Sequence, residues 1–242
     1  MKRKTFLLVV VALSALIISP AWRQQQDPKD IAAYLIKVKK DVTKKSPASG
    51  WQEALPMDKL ASGHLVRTDE KSFALIKFSD ETKLVVREKT EVEIKGQVQG
   101  KQILDRNVHT TKGNVQFDVK KQETEAFRFS SPISVASIRG TTGNFKRDDQ
   151  DNVDNLGIGT GLATFTNLLS NLSLDVSNNQ TGTSDGQGNL DVRESTPEEQ
   201  LLNQDDPNLF KEDGGGTRRE LRFEAEDRQG NRKTIIISWE EN

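Results

Sequence analysis

The chain has 242 residues, 33% of them hydrophobic and 29% charged, and it contains no cysteine. That composition leaves apolar material for one thin core and excludes a disulfide framework, and its two histidines, His64 and His109, give no basis for a His/Cys zinc site. The formal net charge of −1 conceals opposed halves: residues 22–147 carry 24 basic and 16 acidic side chains, residues 148–242 carry 8 and 20. Such halves can attract each other within one fold or present a basic face to anionic glycans or lipids; lysine-rich solvated strand edges are the plainer explanation. Nucleic acid is not expected as a partner, because basic and aromatic residues are not interleaved.

The chain opens with Lys2, Arg3 and Lys4, then an apolar run from Phe6 to Ile18, then Ser19-Pro20-Ala21. This basic, apolar, small-x-small order is that of a secretory signal peptide over residues 1–21. An uncleaved anchor is the alternative, since the uncharged run from Thr5 to Trp22 approaches the ~18 residues that span a membrane. Either way the working part is expected outside the cytoplasm, periplasmic or secreted, touching the membrane only through this segment if uncleaved. The absence of cysteine rules out a bacterial lipoprotein.

Asp27-Pro28-Lys29-Asp30 has the form of an N-cap followed by proline and predicts a short helix through Ile31 and Ala33. Between there and Thr196 the chain reads as strand. Val92 and Ile94 alternate with Glu91, Glu93 and Lys95; Val115, Phe117 and Val119 alternate with Gln116 and Asp118. Phe127 and Phe129 flank Arg128, and Ile133 and Val135 flank Ser134. Short alternating runs ended by Gly, Asn, Asp or Pro predict an all-β fold of mainly antiparallel strands in a sandwich, roll or solenoid.

Composition shifts after Arg147. Asp148 to Asn155 reads as a polar acidic loop, and Gly157-Ile158-Gly159-Thr160-Gly161 as a second loop leading into a strand, Leu162 to Phe165. Asn178 to Asn189 is rich in Ser, Thr, Asn, Gly and Gln. Thr196-Pro197-Glu198-Glu199 forms a capping box before Leu201 and Leu202, so residues 196–216 divide into a short helix and a glycine-rich linker ending at Gly214-Gly215-Gly216. Residues 217–242 predict a hairpin, with Leu221, Phe223 and Ala225 on one strand and Thr234 to Trp239 on the other. A lone hairpin is marginal, so it is expected to dock on the main sheet, or else to add to an edge of another molecule.

No chemistry stands out. The sequence lacks G-x-S-x-G, H-E-x-x-H and G-x-x-x-x-G-K, and no carboxylate pair is singled out for glycosidase work. Asp148, Asp149, Asp151 and Asp154 suggest calcium, but Val153 breaks the ligand pattern and no glycine follows. Asn171-Leu172-Ser173 and Asn179-Gln180-Thr181 are glycosylation sequons in form. No residue is nominated as catalytic, cofactor-binding or metal-ligating.

Trp51 is followed by Leu60-Ala61-Ser62-Gly63-His64-Leu65-Val66-Arg67-Thr68, then Ser72-Phe73-Ala74-Leu75-Ile76-Lys77-Phe78-Ser79-Asp80, Leu84-Val85-Val86 and the threonine-led Thr90 to Ile94. The pattern continues at Gly113 to Val119 and at Ser131 to Thr141, which ends Arg139-Gly140-Thr141. With these motifs residues 34–195 resemble the FecR domain. His64 replaces the usual aspartate, and Glu81 stands where the family's turn has glycine. The residues themselves read as architecture: Gly63, Gly113 and Gly140 as tight turns between strands, Thr68, Thr90 and Thr141 as hydroxyls serving turn amides, and Phe73 to Phe78 as a strand covered on both faces. The resemblance implies a non-enzymatic extracytoplasmic interaction or sensing module that needs no cofactor and binds another envelope or outer-membrane protein. An envelope glycan-binding or scaffold protein is the alternative. The five residues ahead of the apolar run lead to the expectation that the family's cytoplasmic anti-sigma region is missing.

Overall fold

A computed structural model of the chain describes residues 31–99, 102–121, 126–204, 217–226 and 232–241. The expected signal segment, the N-cap at Asp27 and most of the linker lie outside these residues. Two sheets form a sandwich. Across the first, the order is β4 (Lys59–Ala61), β1 (Ile31–Lys39), β6 (Phe73–Phe78), β7 (Lys83–Val86), the second part of β9 (Gln102–Val119), β12 (Thr141–Asp148), β13 (Val153–Thr160), β16 (Gln180–Asp185) and β17 (Leu190–Glu194). Across the second it is β3 (Gln52–Glu53), β2 (Val42–Lys45), β5 (His64–Thr68), β8 (Glu91–Gln99), the first part of β9, β10 (Phe127–Ser130), β11 (Ser134–Ile138), β14 (Leu162–Asn167) and β15 (Ser173–Ser177). Among the described residues only β9 and β10 pair in parallel. The chain alternates between the sheets while moving steadily from one end of the sandwich to the other, so sequence position translates into position along its long axis.

The strand that links the sheets is β9. Up to Lys112 it pairs with β8 in the second sheet; from Gly113 it pairs with β12 in the first. Gly113 holds φ +94, and a Cβ there would lie 2.5 Å from Thr90 Cα. Glycine is required on both counts. Gly113 is therefore a corner inside one strand, whereas Gly63 and Gly140 do lie in turns between strands as expected.

Period-2 burial fills the space between the sheets. Val92, Ile94, Val115, Phe117, Phe127 and Phe129 all point inward and are buried. Phenylalanines of opposite sheets meet along the long axis: Phe78 edge-on to Phe127 at 5.1 Å, Phe117 stacked on Phe129 at 4.6 Å, Phe129 beside Phe145 at 6.2 Å and Phe145 edge-on to Phe165 at 6.4 Å. Each such pair contributes about 0.5–1.5 kcal/mol beyond its burial. On β6 both faces are covered: Ala74, Ile76 and Phe78 join the main core, while Leu75 is fully buried on the outer face against Val85, Ile36 and Phe73.

Four sequence expectations change. Residues 31–39 are strand β1, not helix: Ile31, Tyr34, Ile36 and Val38 favour an extended chain, and pairing to both β4 and β6 outweighs the upstream cap signal. On β11 the inward positions are Ser134, Ala136 and Ile138, with Ile133 and Val135 only half-buried, because Ser134 bonds a buried carboxylate. Of the expected loop 148–155, Asp148 ends β12 and Val153, Asp154 and Asn155 open β13, leaving only 149–152 as the turn, and Asp154 is fully buried. Gly157, Ile158, Gly159 and Thr160 also lie in β13, and only Gly161, at φ +101, is a turn residue.

The reason for those strand glycines is the helix α1 (Pro197–Asn203). Thr196 Oγ1 accepts from Glu199 N at 3.3 Å, and Thr196 N donates to the Glu199 carboxylate at 2.8 Å, closing the expected capping box. Arg193 grips that carboxylate with two bonds of 2.7 and 2.8 Å and holds its pKa down to about 2. So fixed, the helix leaves Leu201 and Leu202 exposed and lays Asn203 flat on the outer face of β13. A Cβ at Gly159 would sit 2.2 Å from the Asn203 carbonyl oxygen, and one at Gly157 2.1 Å from its side-chain oxygen.

The hairpin forms as expected from β18 (Thr217–Glu226) and β19 (Arg232–Glu241), with Leu221 opposite Ile237 and Phe223 opposite Ile235. It makes its own two-stranded sheet and, among the described residues, pairs with no strand of the sandwich.

Two stability measurements follow. Gly159→Ala should lower unfolding free energy in urea by about 1–3 kcal/mol, since the methyl meets backbone that cannot turn aside. Glu81 holds φ +67 at the turn where glycine would be cheaper. Glu81→Gly should therefore raise stability by a few tenths to about 1 kcal/mol, the lost ion pair to Lys77 being exposed on the glutamate side and worth little.

Candidate interaction cleft

Around the Gly113 corner the turns β5–β6 and β7–β8, the corner itself and β12 converge on one rim of the sandwich. Thr68 and Thr90 build its wall. Thr68 Oγ1 accepts from Thr90 N at 3.1 Å and donates to the Arg87 carbonyl; Thr90 Oγ1 accepts from Asn114 N at 2.8 Å and donates to the Glu88 carbonyl at 3.0 Å. Thr68 serves the amide that closes the β7–β8 turn as expected, whereas Thr90 serves an amide inside β9, next to the Gly113 corner. Thr141 instead donates to the carbonyls of Arg139 and Leu162, both at 3.2 Å.

Two neighbouring hollows along this wall form the cleft. One, of ≈ 590 Å³, is lined by Lys71, Phe73, Arg87, Lys89, Lys146 and Leu202 among others. The second, of ≈ 570 Å³, adds Arg67 and Lys112 with the acids Asp69 and Asp149, and Lys89 lines both. Lys71, Lys89, Lys112 and Lys146 are exposed, around a floor of half-buried Phe73 and the exposed face of Leu202. Lys89 pairs with Glu70 at 2.7 Å, which raises its pKa through hydrogen bonding and charge. Arg87 is held by Gln116 at 2.9 Å, and Gln116 in turn donates to the carbonyl of Gln204 at 2.7 Å, placing the end of α1 beside the cleft. Lys71 and Lys89 sit at φ +55 and +54, a left-handed conformation costing a non-glycine residue roughly 1 kcal/mol. The backbone thus keeps two cations at the cleft where glycine or asparagine would be less strained.

A second polar group lies inside the sandwich. Arg147 and Asp154 are cross-strand partners on β12 and β13, 3.1 Å apart, with 6% and 0% of their side chains exposed. Ser131 and Ser134 of the second sheet donate to the Asp154 carboxylate, and Arg147 also bonds Asn152 at 2.6 Å. Burial pushes the Asp154 carboxyl above its ordinary range, against the pull of the serine hydroxyls and Arg147. The cluster clasps the two sheets together, and so does the buried Arg106–Asp80 ion pair on the other side of the molecule's middle.

The four aspartates grouped by sequence separate. Asp154 is interior, while Asp148 caps its own turn by accepting from Gln150 N and Asp151 N at 3.0 and 3.1 Å, bonds that lower its pKa. Among the described residues no three acidic or imidazole groups are placed to hold a metal ion. Asn171 and Asn179 hold φ +58 and +59, which accounts for asparagine at both sequon positions by turn geometry alone. Among the described residues, too, no helix is long and apolar enough to cross a membrane.

With the geometry in place the chain can be compared with known proteins. Residues 64–156, from β5 into β13, match the family model described as FecR protein. Both sheets continue past the match, through β1–β4 at one end and β14–β17 at the other. No curated protein sequence matches. Two crystal structures of a "putative anti-sigma factor" from Parabacteroides distasonis ATCC 8503 share 14% identity with the chain, at TM-scores of 0.47 and 0.46. The match covers 54% of this chain and 59% of that one, a likeness too loose to transfer a binding role.

The cleft was not visible in the sequence. Its cations lie between positions 67 and 146 and are gathered only by register: Arg87 N bonds the Asn114 carbonyl at 3.0 Å, and Lys146 lies directly across from Asn114.

His64, at the start of β5, is buried, and His109 is half-buried and bonded through Nδ1 to Ser130 Oγ at 3.0 Å. Burial lowers each pKa below the ordinary 6.5, helped by Lys44 at His64 and Lys95 at His109. The unfolded chain therefore takes up protons at a pH where the folded chain does not. Stability is full above about pH 6.5 and declines as pH falls through and below that value. Melting temperature should drop between pH 7.5 and pH 5, and the slope should flatten in a His64→Asn, His109→Gln double variant whatever its absolute stability.

Proposed function

We propose that this protein is a non-catalytic extracytoplasmic interaction module that binds another protein of the cell envelope through the cationic cleft over the Gly113 corner. The observation that supports it most is the placement of Lys71 and Lys89 at positive φ beside Lys112 and Lys146, around an apolar floor. An apolar centre rimmed by cations suits an acidic, partly apolar protein surface. The basic and apolar opening of the sequence favours delivery to the periplasm or beyond, with residues 1–21 removed or retained as an anchor. Cleavage can be read from the N-terminus of the exported protein.

The test is a photo-crosslinking residue at position 112 or 146 in the producing cell. A discrete adduct with one envelope protein is expected, reduced about tenfold or more by Lys71→Glu with Lys89→Glu. No adduct, or an adduct indifferent to those substitutions, refutes the proposal. The shallow, cationic character of the same cleft favours a second reading, an anionic envelope glycan. In that case the purified protein pellets with cell-wall material at low salt, and the retention is lost as salt rises.

A further inference from the structure

Because the chain advances steadily along the sandwich, its charge asymmetry becomes an asymmetry between two ends. Residues 31–61 at the first end hold six lysines against three acids; residues 160–194 at the second hold four acids against one arginine, Arg193, which is already bound to Glu199 of α1. Each end also presents two strands that, among the described residues, are paired on one side only: β3 and β4 at the first, β15 and β17 at the second.

The ends differ in how the core is closed. At the first, residues 54–58 cross from one sheet to the other and plug the gap with Ala54, 2% exposed, while Leu55 and Met57 stand outside at 56% and 67% exposure. At the second, the two-residue link 178–179 passes between the sheets, from β15 to β16, and Leu190 and Val192 of β17 pack on the core while half-buried. Leu174 lies on the same face of its sheet as buried Val176, yet is 40% exposed, because β15 has no neighbour beyond it. Leu168, Leu169 and Leu172 are exposed beside it, and Leu169 lies against the β16–β17 turn at Gly188.

We infer that copies of this protein assemble head to tail, the acidic leucine-bearing end of one seating on the basic, capped end of the next. Two identical ends repel, so a symmetric dimer through either is disfavoured. Opposite ends attract, match apolar to apolar, and offer edge strands that can pair. Such a contact joins two different patches, leaves both outer ends free, and therefore continues into an open chain. It does not involve the cationic cleft, so it stands or falls apart from the function proposed above.

Sedimentation velocity of the purified full chain is the test, from about 1 to 200 µM in low salt and again in about 0.5 M salt. Species growing past the dimer with concentration, and dispersing in high salt, are expected. A Met57→Asp, Lys59→Glu variant has only its second end intact, and a Leu169→Asp, Leu172→Asp variant only its first. Each alone should be monomeric, and an equimolar mixture should stop at the dimer. A monomer at every concentration overturns the inference, as does a dimer that survives in the first variant alone. All four positions are exposed, and unchanged circular dichroism confirms that each variant is folded.

Discussion

The arrangement depends on one missing methyl group. At position 113 a strand of the second sheet bends into the first, and Thr90 occupies the space where any Cβ would be. Because β9 serves both sheets, its register fixes the spacing of the phenylalanines on either side, from Phe117 in one layer to Phe129 in the other. The same bend brings Thr90, Asn114 and Arg87 into one hydrogen-bonded wall and so places the cationic cleft. Architecture and candidate interaction surface thus share a single steric cause.

Around that corner the sandwich is held by unlike forces at different depths. The aromatic series along the axis supplies non-directional burial, which tolerates small sliding of the sheets. Asp154, reached by donors from both layers, does not tolerate it, since a shift would leave a buried carboxylate short of partners. Asn167 plays a similar part near the second end, donating to Ser184 Oγ and to the Asp185 carbonyl, both at 2.8 Å. The polar clasps give alignment, and the phenylalanines give cohesion.

Much of the fold was legible in the residues. Alternation at Val92/Ile94 and at Val115 to Val119 identified true inward faces, and the Thr196 to Glu199 box identified the helix. The errors have a common origin. Ile31 to Lys39 followed a cap signal, but its hydrogen bonds go to β4 and β6, which no local window contains. Gly157 and Gly159 looked like a loop because glycine usually marks one; here it marks the track on which Asn203 lies, over forty residues later in the chain. Asp154 looked solvated because its three neighbours in sequence are, while its partners Ser131 and Ser134 lie on the opposite sheet.

By itself, then, the sequence determined what depends on near neighbours. This covers the all-β class, the strand phases, the capped helix, the family likeness now seen over residues 64–156, and the opposed charge of the two halves. Only the tertiary structure decided that the lysine-rich residues 31–61 and the acidic residues 160–194 lie at opposite ends of one sandwich, and that Lys71, Lys89, Lys112 and Lys146 share a rim. Local pattern reports the period of a strand, but the partner across a sheet is chosen by long-range register, and register alone brings distant charges together.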